Sequence, residues 1–107
     1  EDKVFWAHDI HKNDDWMDRA IDLMTDNIFM TIDLDAFDPS IMPSTGTPEP
    51  GGLDWWQFDR FIQKLISNKK IVGFDVVELA PNENNHGPDF LAAQLYYTLL
   101  SYIFQNK

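Results

Sequence analysis

The stretch Thr31-Ile32-Asp33-Leu34-Asp35-Ala36-Phe37-Asp38-Pro39 drives three carboxylates onto the end of an apolar run that starts at Ile28. Apolar runs of this kind belong in buried strands, and acids are costly to bury without a partner. Side chains two apart on a strand point the same way, so Asp33 and Asp35 are expected to project together. Their repulsion has to be offset by protons or cations. A divalent metal does this well, and carboxylates suit Mg²⁺, Ca²⁺ or Mn²⁺. The plainer alternative is a pair of solvated loop acids, with Asp38 turning the chain before Pro39.

Neighbouring residues narrow the metal chemistry. An EF-hand loop needs a further oxygen ligand at position 37 and glycine at 38, and the chain has Phe37 and Asp38. A haloacid-dehalogenase phosphatase would carry threonine at 37, which Phe37 also opposes. A nucleotide-sugar transferase stays open from the Asp-x-Asp pair alone.

The elements that must position these acids are legible on either side. Lys3 to Ala7 reads as a short strand, and Asn13 or Asp14 as the cap of a helix whose apolar Trp16, Met17, Ala20, Ile21 and Met24 recur at helical spacing. Asn27 to Asp33 reads as a buried strand. A loop with four prolines and three glycines then runs from Leu34 to Leu53, a length that usually marks function or disorder. Asp54 with Gln57 forms a capping-box pattern, with Leu53 and Phe58 placed as a hydrophobic staple. The helix that follows carries an apolar stripe of Trp55, Phe58, Phe61, Ile62, Leu65 and Ile66. Ile71 to Val77 reads as a second buried strand, with Glu78 directly after it. Pro88 starts a last helix, with Ala92, Leu95, Tyr96, Leu99, Leu100 and Ile103 on its apolar side.

The expected order is β-α-β-loop-α-β-α over a single unit, residues 1–107. That alternation predicts an α/β fold with a parallel sheet and right-handed crossovers. Ligands in such sheets bind beyond the carboxyl ends of the strands. Asp33 and Asp35 stand at one such end and Glu78 at another.

Composition removes several functions. With 18 acidic residues against 8 Lys and Arg, the formal charge is −10, the wrong sign for a nucleic-acid binder and the right one for metal ions or a cationic substrate. The apolar stretches are strand length, so no membrane span is expected. The absence of cysteine excludes disulfides and thiol catalysis, and with no visible secretion signal a cytoplasmic protein is expected.

Two longer motifs carry a resemblance. Asp33 to Pro39, followed by Pro43-Ser44-Thr45-Gly46-Thr47-Pro48-Glu49-Pro50-Gly51-Gly52-Leu53, resembles the signature of the ureohydrolases, the arginase and agmatinase family of manganese enzymes. Gly73-Phe74-Asp75-Val76-Val77-Glu78-Leu79-Ala80-Pro81 resembles the family's following strand. The resemblance implies the C-terminal part of a three-layer α/β sandwich, the arginase fold. It implies hydrolysis of a guanidinium group to urea and an amine, with two Mn²⁺ ions in the complete enzyme. Asp33 is similar to the acid that bridges both metals, and Asp35 to a ligand of one. Glu78 resembles the acid that holds the guanidinium, and Thr47 the loop threonine lining the site beside it. Asp38 would shape the turn.

The phrase Ser44 to Leu53 and the ending from Pro88 look most like agmatinase, which implies agmatine as substrate, putrescine as product, a place in polyamine metabolism and a homo-oligomer. An arginase, a formiminoglutamase or a non-catalytic domain keeping the fold are the alternatives. The family's further metal ligands, a histidine segment and an Asp-Ala-His-x-Asp element, have no match in the chain, so these 107 residues alone are expected to be inactive. His8 and His11 read as surface or strand-end histidines, His86 as a polar loop residue, and Asp75 as a hydrogen-bonded support. Trp6, Trp16, Trp55 and Trp56 suit packing positions, with at most one of the last pair reaching a subunit contact.

Overall fold

The computed structural model describes residues 3–105. Two short helices, α1 (Ala7–Ile10) and α2 (Asp15–Asp22), precede strand β1 (Asn27–Asp33). A 3-10 turn (Leu34–Ala36), a long loop, helix α3 (Trp55–Asn68), strand β2 (Lys70–Val77) and helix α4 (Gly87–Gln105) follow. The expected strand at Lys3 to Ala7 is absent, and its last residue opens α1 instead. Val4 is 53% exposed and Trp6 63%; among the described residues no strand pairs with the segment, and only Phe5 packs inward, against Trp16. The remaining order, from α2 to α4, matches expectation to within a few residues.

Strands β1 and β2 pair in parallel, from Asn27 opposite Lys70 to Asp33 opposite Val77, with one irregularity after Ile28. A parallel pair requires a crossover, and α3 supplies it. Met30, Ile32, Phe74 and Val76 turn toward the helices and join Phe58, Ile62, Leu95 and Leu99 in one core cluster. The opposite face carries Phe29, Thr31 and Asp75, and Phe29 is 62% exposed. β1 therefore alternates between covered and open residues where a strand buried on both faces was expected, because α3 and α4 lie on one side of the sheet among the described residues.

The start of α3 forms as its sequence dictates. Asp54 accepts from the Gln57 amide at 2.8 Å while Gln57 Oε1 accepts from the Asp54 amide at 3.0 Å, so two orphan donors are satisfied reciprocally. Trp16 of α2 stacks at 5.0 Å on Phe61 of α3, and Arg60 reaches Asp14 at 2.9 Å. These contacts seat α2 on the outside of α3. Trp16 is buried as expected and Trp55 is partly buried, whereas Trp6 and Trp56 lie at the surface. Between α3 and α4, the buried Asp59 accepts from Tyr102 Oη and from Gln63 Nε2, both at 2.7 Å. Periodicity gave no sign of this polar pin, because Asp59 faces inward only where α4 arrives.

Candidate active site at the carboxyl ends of the strands

Asp33 is the last residue of β1, and the register places it opposite Val77, so Glu78 leaves β2 immediately beside it. The strands are parallel, and the acids expected to share a site open on the same edge of the sheet. The pairing of Asp33 with Asp35 has a different cause from the one expected. The strand stops at Asp33, and a 3-10 turn carries Asp35; Asp33 Oδ1 caps that turn by accepting from the Asp35 amide at 3.2 Å. A turn replaces the pleat, yet the carboxyl groups still interact.

Their protonation equilibria are pulled apart. Partial desolvation, then the neighbouring Asp35 carboxyl group and the charge of Glu78, push Asp33 above the usual aspartate range. Asp35 is held below that range, first by the Thr47 hydroxyl and then by Asp33. The hydroxyl of Thr47 donates to Asp35 Oδ2 at 2.6 Å. The threonine expected beside Glu78 is thus tied to the second acid.

Glu78 has a left-handed backbone, with φ of +73°. A non-glycine residue there is strained, and such strain gathers where a side chain has to be aimed. Two residues later, the Ala80 amide donates to the Ser44 carbonyl at 2.7 Å. That bond joins the segment after β2 to the loop that carries Thr47.

Asp38 does more than turn the chain. Its Oδ2 accepts from the Ser40 amide at 3.0 Å, and its Oδ1 from the amides of Gly51 at 3.0 Å and Gly52 at 3.3 Å. The Leu53 amide donates to the Ala36 carbonyl and the Asp38 amide to the Leu53 carbonyl, each at 2.9 Å. The long loop is therefore closed at its base like an Ω-loop. Gly52 is needed because a Cβ there would strike the Phe37 backbone, with the carbonyl oxygen at 2.7 Å. His11, read from sequence as a surface residue, lies within hydrogen-bond distance of the Gly51 carbonyl, with Nε2 at 2.7 Å. Contact across 40 residues leaves no local signal in the sequence. His86 is engaged with Asp89 at 3.2 Å.

A cavity of about 310 Å³ lies beside Asp35, lined also by Ile10, His11 and Glu49. A larger groove of about 830 Å³ runs along Lys70 to Phe74 and α4 at the amino end of β2. The smaller one takes in Asp35 but neither Asp33 nor Glu78, and carboxyl ends are where parallel sheets bind ligands. As hard oxygen donors placed side by side, Asp33 and Asp35 fit part of a divalent metal site. Among the described residues no group of three or more His, Cys, Asp or Glu could complete one.

Comparison with known proteins agrees with this geometry. Residues 2–101 match the model of the arginase family. An N(1)-aminopropylagmatine ureohydrolase of Synechocystis sp. is 43% identical over 100 residues, covering 92% of this chain and 33% of the relative. An agmatinase of Pyrococcus horikoshii is 33% identical over 97 residues, covering 91% of this chain and 34% of the relative. The solved proclavaminate amidino hydrolase of Streptomyces clavuligerus superposes with a TM-score of 0.83 at 27% identity, over 94% of this chain and 34% of that one. The chain spans about a third of the length of the curated relatives it matches.

Proposed function

The chain belongs to the arginase family, and we propose that it forms the C-terminal part of a manganese-dependent ureohydrolase that splits agmatine into urea and putrescine. The observation that carries this reading is the placement of Asp33 and Glu78 at adjacent carboxyl ends of a parallel strand pair. Relatives named agmatinase favour a substrate with an amine tail and no carboxylate. The net charge of −10 suits a cationic substrate. A second reading, N(1)-aminopropylagmatine as substrate, is favoured by the relatives from Synechocystis and Thermus thermophilus. Cytoplasmic location, homo-oligomeric assembly and a place in polyamine metabolism belong to the same proposal.

Asp33 and Asp35 would supply carboxylate oxygens to manganese, Asp33 as the ligand on which metal binding most depends. When bound, the ions supply the acidity that makes water a nucleophile near neutral pH. Glu78 holds the guanidinium by a charge-assisted hydrogen bond and orients its carbon, a proximity effect. Thr47 keeps Asp35 ionised and fixed, and the loop closed by Asp38 keeps Thr47 in reach. With two metal-binding carboxylates, this chain alone lacks the donors for a working site and is inactive.

The test compares bound manganese and urea release in the complete enzyme. Asp33→Asn should lose both together, since a neutral amide cannot replace the carboxylate charge that holds the metal. Glu78→Gln should keep the metal and lose activity, because removing one partner of a desolvated charge pair costs about 2–5 kcal/mol. Glu78→Gln stripping the metal while Asp33→Asn retained it would refute the assignment. On agmatine against N(1)-aminopropylagmatine, the higher kcat/KM decides the substrate.

A further inference from the structure

We propose that His11 is a positioning residue for the acid site, a latch that fixes the base of the long loop so that Thr47 stays on Asp35. Its bearing on the reaction rests on the ureohydrolase reading above, in which Asp35 meets the metal.

The latch starts from a fixed base. Ile10, one residue earlier, packs against the buried cluster of Trp16, Met17 and Ala20 in α2, and the His11 amide donates to the Ala7 carbonyl at 3.1 Å. From there the ring reaches two separate elements. Nε2 lies 2.7 Å from the Gly51 carbonyl, which can only accept, so Nε2 carries the hydrogen. Nδ1 lies 3.4 Å from Gln57 Nε2. Gln57 Oε1 is already taken by the Asp54 amide, so the glutamine presents N–H to the ring. The two contacts agree on one tautomer, a neutral imidazole that donates to the loop and accepts from the start of α3.

Gly51 is held from both sides. Its amide donates to Asp38 Oδ1 at 3.0 Å, and its carbonyl accepts from His11. The two bonds fix the peptide planes on either side of a glycine at φ of +83°, the residue type whose φ and ψ are otherwise freest. The path from Gly51 back to Thr47 is stiff. Pro48 and Pro50 have fixed φ, and Thr47 and Glu49 each precede a proline, which confines them to extended conformations. All four residues are therefore restrained, and a displacement of Gly51 is carried to Thr47 instead of being absorbed. Thr47 donates to Asp35 Oδ2 at 2.6 Å, a contact that tolerates little movement. His11 and Asp35 also line the same cavity, so the latch and the acid it serves face one space.

The test uses the complete enzyme and the variants His11→Phe, His11→Gln, Thr47→Val and His11→Phe combined with Thr47→Val. Phenylalanine keeps a ring and removes the donor, and glutamine restores an N–H at similar reach. Manganese affinity, the thermal midpoint of the metal-free protein and metal-free crystal structures are compared. His11→Phe should weaken manganese binding about 10-fold, the low end for a partner that acts through a ligand, and His11→Gln should recover most of the loss. Thr47 should no longer reach Asp35 in the His11→Phe crystals. In the Thr47→Val background, His11→Phe should add nothing further, because the bond it protects is already gone. Wild-type manganese affinity in His11→Phe, or a lower thermal midpoint with Thr47 still on Asp35, would overturn the proposal, and so would additive losses in the double variant. A wild-type enzyme that binds no manganese would overturn the ureohydrolase reading instead, and the position of Thr47 in the His11→Phe crystals would then decide the latch alone.

Discussion

Thr47 and Asp35 are joined by a 2.6 Å hydrogen bond across 12 residues of sequence. The contact ties the middle of the long loop to the turn after β1, and it is the first cause of the low Asp35 pKa. Replacing Thr47 with valine keeps the shape and removes the donor. The carboxyl titration of Asp35, followed by ¹³C NMR, should move upward in Thr47→Val and stay low in Thr47→Ser. An unmoved titration in the valine variant would show that another group holds Asp35 ionised.

Acid should open the loop base through Asp38. Its pKa is depressed, first by Ser40 and further by the amides of Gly51 and Gly52. A depressed carboxyl contributes stability above its unfolded value and loses that contribution as pH falls through its folded value. Hydrogen exchange at the Gly51 and Gly52 amides should therefore lose protection, after correction for intrinsic rates, below the ordinary aspartate range. Asp38→Asn should show the reduced protection already at neutral pH. Protection that stays flat with pH in the native protein would count against this closure.

Gly52→Ala should destabilise the protein by about 1–3 kcal/mol, the usual cost of overpacking. The atoms that a Cβ would strike are backbone atoms of Phe37 and Asp38, which cannot turn aside as a side chain can. Gly46 has open space around the same position, so Gly46→Ala serves as the control and should change the denaturation midpoint little. Equal effects for the two would mean that the steric argument fails.

Tyr102→Phe should cost about 1–3 kcal/mol by leaving one oxygen of the buried Asp59 without its donor. The double variant with Asp59→Leu should recover part of the loss, since removing both partners is milder than removing one. Chemical denaturation of the four proteins gives the coupling. A coupling near zero would mean that the Tyr102–Asp59 bond adds nothing to the α3–α4 contact.

Much of this arrangement was legible because its signals are local. The capping box at Asp54 and Gln57, the stripe from Trp55 to Ile66, and the acids at the ends of two apolar runs each report on a few neighbouring residues. Lys3 to Ala7 misled because an apolar run of strand length says nothing about whether a partner strand stands beside it. The inward turn of Asp59, the contact of His11 with Gly51 and the bond from Ala80 to Ser44 connect distant residues, and no short window of sequence contains both ends. The Asp33–Asp35 pair was expected for the wrong local reason, since strand pleat and 3-10 turn both bring the two acids together.

The left-handed backbone at Glu78 also ends the regular run of β2. A slip of the ladder by one position would exchange the two faces of the strand. It would also carry a different residue into the left-handed position, and one of the two neighbours, Val77, is β-branched and disfavoured there. The slipped register would then lose both the match to the core and the geometry of the bend. The bend thus favours one alignment of the strand, in which Glu78 is the residue that leaves β2 beside Asp33.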